Sequence, residues 1–338
     1  MRRCRDGTAA IADSGGVHDT PLTAPSRRTW LRVLQVALAA IIVALVARKI
    51  IAEWGAVKLA LIEASPNWLA LAASGVVVLA TYAVLIETWR VILRGWQHEI
   101  PFLDAARIWT ISNLGKYLPG KVWSITALAV MSREYGVSAA EGATASVLVT
   151  LINTIVGFGV AIVAGAPLLR LPPVLVVIIA LMAAVVLASP SGLPRLGLLA
   201  GRLFKREIVL RPLAHRVLVA AAMLTCVAWI MYGVAFWLFT KGVLGVAPGA
   251  FRNYVAVFAG SYLVGFLAIF APAGVGVREG AMGVALERAG FAAGPAYLLV
   301  VASRLWLTAL EVIPPLIFLA LVRRRRLSTH EEDHSPTR

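Results

Sequence analysis

Charged side chains inside apolar segments are the residues of this sequence best suited to chemistry. They are Lys116, Lys121, Arg278, Glu279, Arg304 and Glu311. A charge at membrane depth is costly, and it usually faces the interior of a helix bundle or a water-filled cavity. The cations are suited to bind a phosphate, and a carboxylate such as Glu279 is suited to act as a gate or to carry a proton. The sequence therefore predicts a phosphate-binding site built from these residues.

The same charges also have a purely structural explanation. Arg304, Thr308 and Glu311 are spaced i, i+4 and i+7, which places them on one face of a helix. Arg304 and Glu311 are separated by about 10 Å of helical rise, too far for a direct bond. Each needs a partner elsewhere, and we predict Glu279 for Arg304. An internal ion pair of this kind would fix two segments together without any substrate. A third explanation is that the lysines extend to the membrane interface, and all three interpretations stay open. Nearby aromatic residues are predicted to serve packing or to anchor the interface, namely Tyr117, Trp123 and Tyr262.

Two interrupted apolar segments position these charges. Residues 271–280 contain a proline and several glycines, and residues 112–123 contain a Pro-Gly pair. Proline removes a backbone donor and glycine lowers helicity, so a helix is expected to stop and restart at each break. A restarted helix would offer free N–H groups to an anion. The predicted hinge residues are Pro119, Gly120, Pro272, Gly274 and Gly276. The alternative for either break is a short loop outside the membrane.

Composition determines the class of protein. The 338 residues are 60% hydrophobic and 14% charged, with a mean hydropathy of +0.83, whereas a soluble domain carries about a quarter charged residues. Several apolar runs of about 20 residues predict an all-α polytopic membrane protein. The net charge of +15 comes from basic residues that cluster between and after the apolar segments, where they orient the chain. We therefore predict no nucleic-acid partner.

The apolar segments predict six full crossings and two opposed re-entrant helical hairpins. The full crossings are expected at 30–51, 68–89, 139–164, 174–188, 217–239 and 297–322. The broken segment 102–131 is bracketed by Arg94, Arg107 and Arg133, so it would begin and end on the cytoplasmic side. The broken segment 254–288 would begin and end on the outside, because the basic loop 189–216 and the run Arg323–Arg326 both belong on the cytoplasmic side. Alternatively each limb is a full span, which gives eight or more crossings. The charges do not decide between the two layouts.

The chain is predicted to divide into a leader, a transmembrane domain and a tail. The polar leader and the polar tail are expected to be disordered and cytoplasmic, and the three parts cover 1–29, 30–322 and 323–338. When Pro119 is aligned with Pro272, the first half (68–188) repeats the second half (217–322). Interrupted segments at matching places in two halves are typical of an inverted-repeat transporter.

Groups suited to catalysis are scattered rather than clustered in the sequence. The acids within apolar segments are Glu87, Glu279 and Glu311, and all five His residues lie in polar stretches or at their edges. No Asp-x-Asp, Gly-x-Ser-x-Gly or His-Glu-x-x-His pattern is present. The prediction is a protein that is not an enzyme and that uses no metal and no cofactor. Glu87 is expected to pair with Arg90 at i+3.

Three short motifs carry a family resemblance. They are Asn113-x-Gly115-Lys116-x-x-Pro119-Gly120-Lys121-Val122-Trp123, Gly136-Val137-Ser138 and Pro272-x-Gly274-x-Gly276-x-x-Glu279-Gly280. In order and spacing they resemble the flippase-like transmembrane region of lysylphosphatidylglycerol synthases and of their stand-alone bacterial and archaeal relatives. The resemblance covers about residues 30–322. It implies a multi-pass inner-membrane protein that moves or handles lipids or lipid-linked sugars.

The sequence also departs from this family in ways that bear on the substrate. Thr126-Ala127 stands where many relatives have a Gly-Arg or Arg-Ala pair, and Val149-Thr150 stands where relatives often have Glu-Arg. The chain ends at Arg338, which leaves no room for the soluble aminoacyl-transferase domain of the full synthases. We therefore expect no synthesis of lysylphosphatidylglycerol.

The predicted function is flippase-like transport of an anionic amphiphile, either a phospholipid or a polyprenyl-phosphate-linked sugar. Both termini are expected in the cytoplasm and the chain in the inner (plasma) membrane. The expected partners are membrane lipids or a lipid-linked sugar, together with proteins of cell-envelope biosynthesis. The main alternative is an assembly or regulatory subunit of a lipid or envelope-glycan pathway that transports nothing. An intramembrane lipid-modifying enzyme is a less favoured alternative.

Overall fold

The computed structural model shows an all-helical chain over the residues that it describes. These are 44, 48, 51–63, 65–117, 123–168, 170–172, 174, 175, 178, 213–268, 271 and 274–332, with the backbone alone at 63 and 322–332. No β-strand occurs within these ranges. The predicted leader, most of the spans 30–51 and 174–188, and most of the basic loop 189–216 lie outside the described residues.

Nine helices lie within the described residues. They are α1 (Trp54–Glu63), α2 (Trp68–Gly95), α3 (Phe102–Asn113), α4 (Trp123–Met131), α5 (Ala139–Gly165), α6 (His215–Leu244), α7 (Phe251–Leu267), α8 (Val277–Arg288) and α9 (Ala293–Glu332). A 3₁₀ turn, Leu114–Tyr117, follows α3, and a second one, Ser132–Tyr135, follows α4.

Four of these helices are long and apolar enough to cross a membrane. They are α2, α5, α6 and the part of α9 that ends at Leu321, with 27 to 30 residues each. At about 1.5 Å per residue each exceeds the roughly 30 Å hydrocarbon core of a bilayer. They confirm the spans predicted at 68–89, 139–164, 217–239 and 297–322, and the chain is a polytopic α-helical membrane protein.

α2 and α6 form the most extensive helix pair of the described chain, and they run antiparallel. The N–H of Asn67, just before α2, donates to the carbonyl of Gly242 near the end of α6, at 2.9 Å. Further along, the hydroxyl of Ser74 donates to the carbonyl of Ala235 at 2.6 Å. A Cβ at Gly242 would lie 2.9 Å from the backbone N of Leu71. Small residues therefore bring the two backbones together, as is common where lipid supplies no hydrophobic driving force between helices.

Each interrupted segment folds back, so that its beginning and its end lie at the same end of the bundle. In the first, Arg107 of α3 lies 3.0 Å from Glu134, just after α4. In the second, the ring of Tyr254 near the start of α7 lies 6.2 Å from that of Phe291, just after α8. The four limbs have 9 to 17 residues, which is about 14–26 Å of helix and short for a full crossing. These contacts agree with the predicted hairpins, whereas their re-entry into a membrane stays a prediction.

Backbone geometry at the second break requires glycine. Gly274 and Gly276 have φ values of +68° and +84°, in the left-handed region that glycine adopts without strain. A Cβ at Gly274 would lie 2.7 Å from the carbonyl oxygen of Gly265 in α7. The chain therefore turns back directly against the helix that it has just left. The other predicted hinge residues lie outside the described ranges, namely Pro119, Gly120 and Pro272.

The segment before α2 adds a helix, and one prediction about the end of the chain is wrong. The connector before α2 is helical (α1), and its Val57 and Ala60 pack against Tyr297 and Leu298 of α9. The tail, predicted to be disordered from residue 323, continues the backbone of α9 as far as Glu332. No glycine or proline interrupts residues 316–332, and Arg and Glu are good helix formers, so the helix has no local reason to stop at the membrane boundary.

Candidate functional site

Glu311 of α9 holds the first break against the last span. Its carboxylate accepts a bond from Lys116 Nζ at 2.6 Å through Oε1, and its Oε2 accepts the hydroxyl of Tyr117. Both donors belong to the 3₁₀ turn that precedes the break. The Glu311 side chain is only 13% exposed. Tyr117 was predicted to serve packing or anchoring, and the structure instead makes it a direct partner of a buried carboxylate.

Glu279 of α8 holds the second break against the same span. Its Oε1 lies 3.4 Å from Nε of Arg304, and this ion pair confirms the predicted partner of Arg304. Its Oε2 accepts the backbone N–H of Gly276 at 2.6 Å. The carboxylate thus caps the first turn of α8, as acidic side chains commonly do. One of the N–H groups predicted to be free for an anion is therefore used by the protein itself.

One helix carries both ion pairs. Arg304 and Glu311 are separated by seven residues on one face of α9, and they contact different broken segments. This agrees with the sequence argument that they are too far apart to bond each other. Lys121, the remaining predicted site residue, lies outside the described residues.

Arg278 is the exception among the described charges of the site. It is 7% exposed, and within the described chain no carboxylate lies within 4.0 Å of it. Its guanidinium carbon lies 5.0 Å from the ring centroid of Tyr262 and 5.3 Å from that of Phe258. One of its nitrogens, Nη2, is buried and has no hydrogen-bond partner among the residues that the structure describes. Aromatic faces stabilise a cation, but an unsatisfied buried donor is costly, and more so when it is charged.

The face of α7 that receives Arg278 has a simple spacing. Phe258, Tyr262 and Gly265 stand at i, i+4 and i+7, which places them on one side of the helix. Two aromatic rings are therefore followed by a position without a side chain. A Cβ at Gly265 would lie 2.7 Å from Cβ of Arg278. Gly265 therefore allows α8 to approach closely enough for the guanidinium to reach both rings. This spacing is the sequence signal for Phe258 and Tyr262, which we did not predict as site residues.

A small cavity lies beside the guanidinium of Arg278. Its volume is about 10 Å³, and it is lined by Arg278, Glu279, Met282, Val300, Ser303 and Arg304. Such a volume is near the minimum that one water molecule needs, so the cavity has space for about one water molecule in this conformation. The cavity joins α8 to α9 at the level of the second ion pair.

The charges of the described site do not cancel. Lys116, Arg278 and Arg304 contribute three positive charges, and Glu279 and Glu311 contribute two negative charges. The excess positive charge belongs to Arg278, which has no acidic partner among the described residues. An arrangement of this kind attracts an anion. In the part of the chain that the structure describes, no group of three or more His, Cys, Asp or Glu side chains is placed to hold a metal ion.

A second group of charges lies at the end of the bundle where the first broken segment begins. Glu87 pairs with Arg90, as predicted, and also with Arg94. His98 lies 3.2 Å from Glu141, which caps α5. These contacts connect the end of α2 to the start of α5. These contacts explain the charges at this end of the bundle without a role in binding a substrate.

Comparison with known protein families identifies the family to which the chain belongs. A family model described as "Lysylphosphatidylglycerol synthase TM region" matches residues 32–314, which is most of the chain. The match includes both broken segments and every site residue named above. None of the curated proteins compared with the chain matches it.

Proposed function

Because the chain belongs to the lysylphosphatidylglycerol synthase TM region family, we propose that it is a flippase-like transporter of an anionic amphiphile. The family and the spans make it a membrane protein of lipid metabolism or transport. The proposal adds the transport activity and its substrate class, which is a phospholipid or a polyprenyl-phosphate-linked sugar. It also places the protein in the bacterial inner membrane with both termini in the cytoplasm.

The observation that carries the proposal is the buried, uncompensated charge of Arg278. The rings of Phe258 and Tyr262 stabilise the guanidinium, but one buried nitrogen has no partner among the described residues. A purely structural role does not account for that cost. Charges at membrane depth usually mark a path for a substrate or an ion. A phosphate is the complement of a guanidinium, because its oxygens accept two parallel hydrogen bonds.

The proposed mechanism is alternating access around the two folded-back segments. The head group would lie near the two breaks while its acyl or prenyl chains stay in lipid. The last span, α9, holds the first segment through Glu311 and the second through Arg304, which pairs with Glu279. Release of one ion pair while the other persists would open the site to one side of the membrane at a time. Broken helices that meet at a central site are typical of such transporters.

A second candidate function is an assembly or regulatory subunit without transport. The observation in its favour is that four of the five described charges are already paired within the protein. A purely structural network predicts that neutralising any of these charges changes stability or partner binding alone. The two functions are thus separated by measuring transport and stability on the same variants.

The membrane topology of the second broken segment is open to a direct test. Single cysteines, in a background without Cys4 and Cys226, would be placed at the exposed positions Ala140, Ala250, Ala292 and Val275. We expect Ala250 and Ala292 to be labelled only from outside sealed vesicles and Ala140 only from inside. A re-entrant segment predicts that Val275, next to the break, is protected or is labelled from both sides. Labelling of Val275 from the inside alone, as an ordinary aqueous loop, would show two full spans instead.

Transport is tested with the purified full chain in vesicles. We expect it to accelerate the movement of fluorescent phosphatidylglycerol, or of a polyprenyl-phosphate sugar, between leaflets, as measured by dithionite quenching or enzymatic accessibility. Arg278→Gln should slow this movement by about tenfold or more, since a charged hydrogen bond is worth about 1.5–3 kcal/mol. Arg288→Gln is the matched control, because Arg288 is an exposed residue of the same helix. Movement of both substrates no faster than in empty vesicles would reject the proposed function.

A further inference from the structure

We propose that the phosphate group of the substrate displaces Glu279 from Arg304, so that Arg278 and Arg304 bind the phosphate together and Glu279 competes with it. The inference rests on the proposed function and specifies its binding step. It assigns opposite roles to two neighbouring residues: Arg278 attracts the ligand, and Glu279 occupies its place when the ligand is absent.

The two arginines are placed to bind one ligand. Arg278 on α8 and Arg304 on α9 line the same cavity, and Glu279 lines it beside them. Arg278 has an unpartnered Nη2, and Arg304 uses only Nε in its ion pair. An arginine has five N–H donors, so both guanidinium groups retain donors that a tetrahedral oxyanion would accept.

The pair between Arg304 and Glu279 is the looser of the two ion pairs. Its atoms are 3.4 Å apart, whereas a strong charge-assisted N–H···O bond is about 2.7–2.9 Å long. The pair between Lys116 and Glu311 is 2.6 Å long, and Tyr117 holds the other oxygen of Glu311. A competing anion therefore displaces Glu279 at a lower cost than Glu311.

Displacement does not leave the carboxylate of Glu279 without a partner. Its second oxygen accepts the backbone N–H of Gly276 at 2.6 Å. The carboxylate can give up Arg304 and still cap the first turn of α8, near the positive end of the helix dipole. Glu279 is thus held close to both arginines whether or not a ligand is bound.

The small size of the cavity favours the displacement of Glu279. At about 10 Å³ it is near the minimum for a single water molecule, whereas a phosphate has several heavy atoms. A phosphate can enter the cavity between Arg278 and Arg304 only after a lining side chain has moved. Among the lining residues Glu279 is the acidic one, and its charge repels the ligand. Its movement away from Arg304 both creates space and frees donors.

The inference predicts affinities of opposite sign for two neighbouring substitutions. Binding of inorganic phosphate would be measured by tryptophan fluorescence on the purified full chain in detergent, with chloride at matched ionic strength as the reference. Glu279→Gln, which removes the competing charge, is expected to bind phosphate about tenfold more tightly than the wild type. Arg278→Gln is expected to bind at least about tenfold more weakly, and the exposed control Arg288→Gln is expected to be unchanged.

A lipid probe separates the two possible sources of the phosphate. Dihexanoyl-phosphatidylglycerol, below its micellar concentration, should bind with the same order of variants and should compete with inorganic phosphate if the ligand is a head group. If inorganic phosphate alone binds, with Glu279→Gln the tightest, the exchange is supported for a free anion and the lipid-transport proposal loses its support.

Other results would overturn the exchange itself. Glu279→Gln that binds phosphate no more tightly than the wild type contradicts it, even where Arg278→Gln abolishes lipid transport and the proposed function stands. Should Glu279→Gln fail to fold, Arg304→Gln provides the second measurement. The exchange requires phosphate affinity to fall in that variant by about tenfold, and an unchanged affinity refutes it.

Discussion

Replacing Glu311 by leucine is expected to destabilise the protein by about 3 kcal/mol or more, because it leaves Lys116 largely buried without a partner. Lys116→Leu should cost a similar amount for the same reason. The double variant, Lys116→Leu with Glu311→Leu, should recover most of the loss, since two apolar residues often replace a buried ion pair at little cost. The measurement is the free energy of unfolding in detergent for the three variants.

The double variant also separates the two explanations of the charges. If α9 must release and re-form this pair during transport, the double variant will be stable but will move lipid at least about tenfold more slowly than the wild type. A stable double variant with normal transport would show that the pair only holds the first break in place. Glu134→Gln is the control. Its pair with Arg107 is exposed at the end of the bundle, and surface pairs contribute about 0–1 kcal/mol.

Gly265→Val is the second substitution with a large expected effect. A Cβ at this position would lie 2.7 Å from Cβ of Arg278 and 3.3 Å from its Cα. These atoms belong to the root of the side chain, so α8 as a whole must move away from α7. We expect a loss of about 1–3 kcal/mol from overpacking. Transport should fall by about tenfold or more, because Arg278 would no longer reach its position between the aromatic faces and the cavity.

Gly260→Val on the same helix is the matched control. Among the described residues, no atom outside the local helix lies within 4 Å of a Cβ built at Gly260. This change should therefore leave the unfolding free energy and the transport rate nearly unaltered. Transport and unfolding would be measured side by side for the two variants. Normal transport by Gly265→Val would mean that the close approach of α8 to α7 is not needed for function.

The sequence alone determined the class of protein and the positions of the long spans. A bilayer accepts few structures, since every backbone polar group must be bonded within the chain, and apolar runs of sufficient length therefore predict α2, α5, α6 and α9. The two breaks were also predictable from the sequence, because proline and glycine disrupt a helix at their own position and at neighbouring residues. Helical periodicity also showed that Arg304 and Glu311 share a face of α9 and bond elsewhere.

Only the tertiary structure decided which charged residues form ion pairs, and that Arg278 has no acidic partner among the described residues. The partners of Glu311 are nearly 200 residues away in the chain, and no local pattern selects Lys116 and Tyr117 over other polar residues. The environment of Arg278 depends on how closely α8 approaches α7, and a missing side chain at Gly265 sets that distance. Packing of this kind is a property of surfaces brought together by the whole fold. Whether a buried charge is compensated therefore becomes visible only once the helices are in contact.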